Sequence, residues 1–222
     1  MVETGSSPGQ TRGERREQAT ADTRTAILTA ARARLLADGY ANLSTRAVAE
    51  TACVPLSQIH YHFGSKRQLI LAVLEAENVR LLERQREMFD TPQPLWVRWE
   101  RACDFLDADI ESGYVRILQE MIAAGWSDAE VAQAVRGMMA GWYGLLGEVA
   151  QRETEHGADF GDFTPGEIAA LMGTPFIGAE ELILLGVTEA DLPMRSALRK
   201  VGRLLRTLDI DGGDDGDPGR RA

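Results

Sequence analysis

The sequence predicts an all-α protein, and three observations carry that prediction. Apolar residues recur at helical spacing along nearly every segment, and no stretch alternates apolar and polar residues as a half-buried strand does. Capping signals and Gly or Pro punctuate the segments at intervals that suit helices. With 222 residues, 44% of them apolar, the chain can hold a real core, as one large domain or a small one joined to a larger one.

Taken in order, residues 1–20 are polar, contain Gly and Ser and lack periodicity, which predicts a flexible arm. Ile27, Ala31 and Leu35, with Leu28 beside them, form the first apolar stripe, and Gly39 reads as its C-cap. Ser44 is the N-cap candidate of a second helix with Val48, Ala49 and Ala52 inward. A third runs from about Pro55 to Phe63 and ends at Gly64. Ser65 then opens a fourth, completed as a capping box by Gln68, with Leu69, Val73 and Leu74 inward and an end near Phe89. After the break "DTPQP", further helices are predicted at about 95–109, 114–124, 128–153, 165–172, 175–186 and 193–208. Ser127 with Glu130 and Thr164 with Glu167 read as capping boxes, and Pro165 suits a first helical position. Leu198, Val201, Leu204, Leu205 and Leu208 mark an amphipathic final helix, and a polar, disordered tail follows from Asp209.

Charge is divided unevenly. Residues 1–70 carry nine Arg or Lys against six Asp or Glu, whereas residues 71–222 carry fifteen against twenty-eight, within a net charge of −10. An acidic bulk repels a polyanion and so orients the basic end toward it. No apolar run approaches the roughly 18 residues of a membrane-spanning helix, and the N-terminus has no apolar segment behind its charges to form a signal peptide. Cys53 and Cys103 fit neither a disulfide framework nor a zinc site. A soluble, cytoplasmic protein with reduced thiols and no membrane partner is expected.

Three short helices joined by tight turns, the second and third about three residues apart, have helix-turn-helix spacing. In such a unit the third helix lies in the major groove with its N-terminal residues near base edges. With Ile59 placed in the core, steps of 100° per residue bring Leu56 and Phe63 to the same face, Ser57 and Tyr61 opposite, and Gln58 and His60 to the flanks. The bland alternative is a surface helix of a helical bundle. The resulting division is an arm at 1–20, a helix-turn-helix domain at 21–68, a larger helical domain at 69–208 and a tail at 209–222.

The stretch "STRAVAETACVPLSQIHYHFGSKRQL", preceded by "AILTAARARLLADGYANL", resembles the N-terminal DNA-binding domain of the TetR family of transcriptional regulators. The resemblance covers roughly residues 24–74. It implies a ligand-responsive regulator, most commonly a repressor, that binds a palindromic double-stranded DNA operator as a homodimer and is released by a small molecule. Position by position, Thr45 matches a phosphate contact at the start of the second helix. Arg46 matches a position that in some members reads guanine, the alternative being a solvated helix arginine. Pro55, Leu56, Ser57 and Gln58 match the base-reading start of the recognition helix, and Gln58 suits adenine. His60, Tyr61 and His62 match aromatic phosphate-and-sugar positions, and Lys66 a backbone-contacting lysine. Three positions depart from the family pattern. Cys53 stands where glycine is common, so the turn either carries a left-handed residue at a cost of about 1–2 kcal/mol or differs slightly. Pro55 replaces a capping serine, and His60 replaces a commoner tyrosine.

The larger domain has no comparably diagnostic motif. Trp96, Trp99, Phe105, Trp126, Met138, Met139, Trp142 and Tyr143 are its bulky candidates for lining an effector pocket, or else ordinary core. Their chemistry suits an apolar or aromatic effector, while the domain's acidic charge makes a cationic group tolerable. "ALMGTPFIGAEELILLG" and "MRSALRKVGRLLRTL" are the candidates for a dimer interface. Glu180 and Glu181 read as a solvated pair, and the two-residue spacing of His60 and His62 prevents them from sharing a metal. No P-loop, G-x-S-x-G elbow or H-E-x-x-H string occurs, and neither an enzyme nor a cofactor is expected. The reading from another class is a small all-helical enzyme or cofactor-binding protein whose N-terminal helices only pack.

Overall fold

The computed structural model describes residues 11–210, with side-chain environments to residue 207. Among the described residues there are nine helices and no strand: α1 (Arg12–Asn42), α2 (Thr45–Thr51), α3 (Leu56–Phe63), α4 (Lys66–Phe89), α5 (Leu95–Ser112), α6 (Tyr114–Gly125), α7 (Ala129–Glu155), α8 (Pro165–Leu184) and α9 (Met194–Ile210). No helix among them is long and apolar enough to cross a membrane. The chain divides into two compact units, 1–73 and 74–222. The boundary falls later than the expected 68/69 because Leu69, Ile70 and Val73 of α4 are buried side chains of the first unit. The expected tail lies outside the described residues from 211 on, and Leu208 lies outside the described side chains.

The first unit is built on Ile27, Ala30, Ala31 and Leu35 of α1, Val48 and Ala49 of α2, Ile59 and Phe63 of α3, and the start of α4. Gly39 breaks α1 at φ +76°, the left-handed backbone glycine adopts most readily. Residues 12–20, expected as part of a flexible arm, are helical instead. A capping box starts them: the Glu14 N–H donates to Thr11 Oγ1, and the Thr11 N–H donates to Glu14 Oε2. This segment has no apolar stripe because all of its side chains are exposed, so the periodic signal was missing.

The second unit packs around Trp99, Cys103, Leu106, Leu145, Val149, Phe176 and Leu198. Trp99 meets the ring of Phe176 edge-on at 5.2 Å, and its indole N–H donates to the Leu198 carbonyl at 2.7 Å, joining α5, α8 and α9. Arg98 of α5 is buried, donating to the Phe89 carbonyl and pairing with Glu153 of α7. Two local expectations are corrected. At the start of α7 it is Asp128, not Ser127, that accepts the Glu130 and Val131 N–H groups, while the Ser127 hydroxyl turns back to the Ala124 carbonyl. The segments at 165–172 and 175–186 are one helix running through Pro175. A proline inside a helix costs about 3 kcal/mol. One continuous buried face, Ala169, Gly173, Phe176 and Ala179, offsets it.

Gly173 of α8 lies against side chains of α7. A Cβ there would stand 2.6 Å from Cε1 of Tyr143 and 3.1 Å from Cζ3 of Trp142. The small residue thus serves packing within the chain. Gly173→Ala is expected to destabilise the protein by about 1–3 kcal/mol through overpacking, read from the midpoint of urea unfolding.

Candidate nucleic-acid interface and internal cavities

A helix of eight residues is too short to persist alone, so α3 exists because of what it buries. Ile59 is fully buried, Phe63 nearly so, and Leu56 half-buried, as the 100° spacing requires. Ser57 and His60 are left exposed, Tyr61 is 75% exposed, and Gln58 is half-buried. Pro55 stands in extended backbone as the N-cap without a side-chain acceptor, and Gly64 ends the helix at φ +73°. Before α2, Ser44 occupies the N-cap position but makes no capping bond, Thr45 is half-buried and Arg46 exposed. Thr45, Arg46, Ser57, Gln58, His60 and Tyr61 therefore belong to the accessible part of the first unit.

Three of the expected residues, Lys66, His60 and His62, also make contacts within the unit. The Lys66 ammonium donates to the Ala41 carbonyl at 3.2 Å, tying the start of α4 to the end of α1. His60 Nδ1 lies 3.2 Å from the Gly64 carbonyl, and because a carbonyl can only accept, Nδ1 is the donor of that bond. His62 is half-buried between Tyr61, whose ring it meets at 5.0 Å, and Phe63, and its Nε2 is shut from solvent without a hydrogen-bond partner among the described residues. The guanidinium of Arg24 in α1 lies 5.4 Å from the ring centre of Phe63, a second tie to α3.

Cys53 in the turn between α2 and α3 has φ +54° and is the only non-glycine residue with positive φ among those described. The turn thus keeps the left-handed geometry while carrying a side chain. The Cys53 N–H and the Val54 N–H bond back to Glu50 and Ala49 of α2, which holds it. Cys53→Gly is expected to stabilise the protein by up to about 1 kcal/mol, the relief of a left-handed residue less the added freedom of the unfolded chain. Chemical denaturation under reducing conditions measures it.

In the second unit a cavity of about 50 Å³ lies among α4, α5, α6, α7 and α8. Of the eight expected lining residues, Trp99, Phe105, Met139 and Trp142 line it. Trp96 is half-buried under the Arg206 guanidinium, 5.1 Å from its ring centre. Met138 is buried outside the cavity, and Tyr143 packs on α8 with its hydroxyl 3.2 Å from Thr174 Oγ1. Trp126 is 83% exposed at the end of α6 and lines neither cavity. Its position one residue beyond α6 takes it out of the inward stripe.

Sequence reasoning missed the polar part of the wall, Asn78, Gln85, Asp109, Tyr114 and Glu180. Arg84 reaches both oxygens of Asp109 at 2.7 and 2.6 Å and stacks over Phe105 at 4.4 Å. Burial still raises the Asp109 carboxyl, opposed by the bond and charge of Arg84. Burial pushes Glu180 up to about 7, opposed by a long bond from Gln119 and reinforced by Asp109. A second, almost wholly apolar space of about 240 Å³ is lined by Phe89, Leu95, Leu146, Val149, Phe160, Phe163, Leu171 and Leu204 among others. Leu171 and Leu204 are 57% and 67% exposed, unusual for large apolar side chains at adjoining positions on α8 and α9.

Residues 27–73 match the profile of the family described as bacterial regulatory proteins, tetR family. No curated protein matches the chain in sequence. Solved structures match over nearly the full length. A TetR-family transcriptional regulator from Rhodococcus sp. aligns at 21% identity and TM-score 0.69, covering 86% of this chain and 98% of that one. The regulator FadR from Bacillus subtilis, solved with stearoyl-CoA, aligns at 13% and 0.68, covering 82% and 96%. A transcriptional regulator from Saccharomonospora viridis, solved with choline, aligns at 20% and 0.67, covering 81% and 95%. At these identities the likeness is one of fold.

Proposed function

With a TetR-family helix-turn-helix domain at residues 27–73 as premise, we propose that this chain is a ligand-responsive transcriptional repressor. It binds a palindromic operator as a homodimer and releases it when a small molecule occupies the second unit. The observation that carries the reading is the division of α3, with Ile59 and Phe63 buried and Ser57, Gln58, His60 and Tyr61 turned outward. Burial fixes the helix, and what remains outside has the donors, acceptors and aromatic rings that address bases and phosphates. Arg46 supplies a guanidinium at the start of α2, the geometry for bidentate pairing to guanine. The basic balance of residues 1–70 supports the same orientation.

The exposed apolar side chains Leu171 on α8 and Leu204 on α9 support pairing of two chains through these helices, burying what a lone copy leaves in water. Small-molecule sensing is supported by the cavity of the second unit and by the two similar folds solved with stearoyl-CoA and choline. The effector acts only if it binds one state of the dimer better than the other. Helix α4 supplies buried Leu69 and Ile70 to the first unit and Asn78, Leu81, Gln85 and Phe89 to the cavity wall, so it is the lever.

The test is selection of bound duplexes from random DNA by the full chain. The expected product is a near-palindrome with half-sites about one helical turn or more apart, bound with steep salt dependence. Arg46→Ala is expected to relax preference at one base pair per half-site by about 1–3 kcal/mol, while leaving the fold intact. Recovery of no consensus, or binding indifferent to salt, overturns the reading.

A further inference from the structure

Resting on the sensor reading above, we infer that the cavity of the second unit accepts a small organic ammonium ion, held by Glu180 and by the aromatic walls. The charges around the cavity do not balance. Arg84 is committed to Asp109 through two short bonds, and Arg80 pairs with buried Glu77 at 2.8 Å. Asp109 and Glu77 thus each have a guanidinium, and of these three carboxylates Glu180 is the one with no ion pair among the described residues. Its hydrogen bond from the Gln119 amide is 3.5 Å long, at the limit of a useful bond, and that amide is shared with the Ile177 carbonyl at the same distance. A carboxylate half out of water without a cation is an unfavourable arrangement, and an incoming cation relieves it.

The walls favour an ammonium over a metal ion. Trp99, Phe105, Tyr114, Trp142 and Phe176 contribute rings, and a cation already rests on one of them, the Arg84 guanidinium 4.4 Å from the centre of Phe105. A metal ion needs several oxygen ligands converging at short range, and Asp109 is already occupied by Arg84. Size sets a further limit. The 50 Å³ available corresponds to about three or four water-sized bodies, the bulk of a methylated ammonium head. Anything larger must displace a wall, and α4 is one of those walls.

The titratable and charged groups facing Glu180 are Asp109 and Tyr114, with Arg84 beside them; Glu77 and Arg80 stand behind on α4. Because burial places the Glu180 carboxyl near 7, it goes from about one-tenth to about nine-tenths ionised between pH 6 and pH 8. Tetramethylammonium chloride and tert-butanol, similar in shape and different in charge, are titrated calorimetrically into the full chain at both pH values and at constant ionic strength. Expected are binding of tetramethylammonium that tightens about tenfold from pH 6 to pH 8, a tert-butanol affinity independent of pH, and loss of the pH response in Glu180→Gln. Equal affinity for the two compounds, a flat pH profile in the wild type, or an unchanged response in Glu180→Gln overturns the proposal. The wild-type profile decides between these outcomes even where the variant folds poorly. Because the titration contains no DNA, its result is independent of operator recognition.

Discussion

The first unit depends on the burial of Ile59. In an eight-residue helix only one face can be anchored, and fully burying an aliphatic side chain contributes about 1.5–3 kcal/mol. Once Ile59 and Phe63 point inward, the helical period leaves no choice about Ser57 and Tyr61, which point out. The buried faces of α1 and α2 form the rest of that small core, and Gly64 lets the chain leave α3 at once into α4. Even the strained Cys53 fits this order. A tight turn is needed for Val48 and Ile59 to share a core, and the unit tolerates a left-handed side chain to keep it.

The second unit meets a different constraint. Its helices must close around large rings, and Trp99 and Trp142 cannot be buried without partners for their N–H groups. The Leu198 carbonyl and the Gln85 side chain supply them at 2.7 and 2.8 Å. Arg84 with Asp109 and Arg98 with Glu153 add buried or half-buried ion pairs that join α4 to α5 and α5 to α7. Such pairs add little net stability compared with apolar contacts, but removing one partner leaves an expensive orphan charge. Glu180 has no such ion pair among the described residues, and it lines a space with aromatic walls.

The fold was legible where apolar periodicity spoke. The stripe Ile27, Ala31 and Leu35, the pair Ile59 and Phe63, and the Thr164–Glu167 box all stand as their spacing requires. It was illegible where helix formation rests on local bonding alone, as from Arg12 to Thr20, or where proline argued for a break that tertiary packing overrode, as at Pro175. The accessible face of α3 followed from period alone, yet the capture of Lys66 by the Ala41 carbonyl joins residues far apart in sequence and had no local signal. Glu180 did have one. It continues the inward series Ala169, Gly173 and Phe176 at steps of four, three and four, and reading it with its neighbour Glu181 as a solvated pair obscured that series. Trp126 is the reverse case, a large ring whose chemistry suits a lining but which follows the last turn of its helix and stands exposed.

The outward face of α3 is proposed as the surface that meets DNA, and operator recognition rests on it. It is tested most directly by following backbone amide and histidine ring resonances of the full chain as a selected duplex is added. The largest shifts are expected on Thr45, Arg46 and residues 57–61, including the His60 ring, with Ile59 and Phe63 side chains nearly unmoved. Perturbations confined to residues 74–207, or spread evenly over the chain with α3 silent, would contradict it.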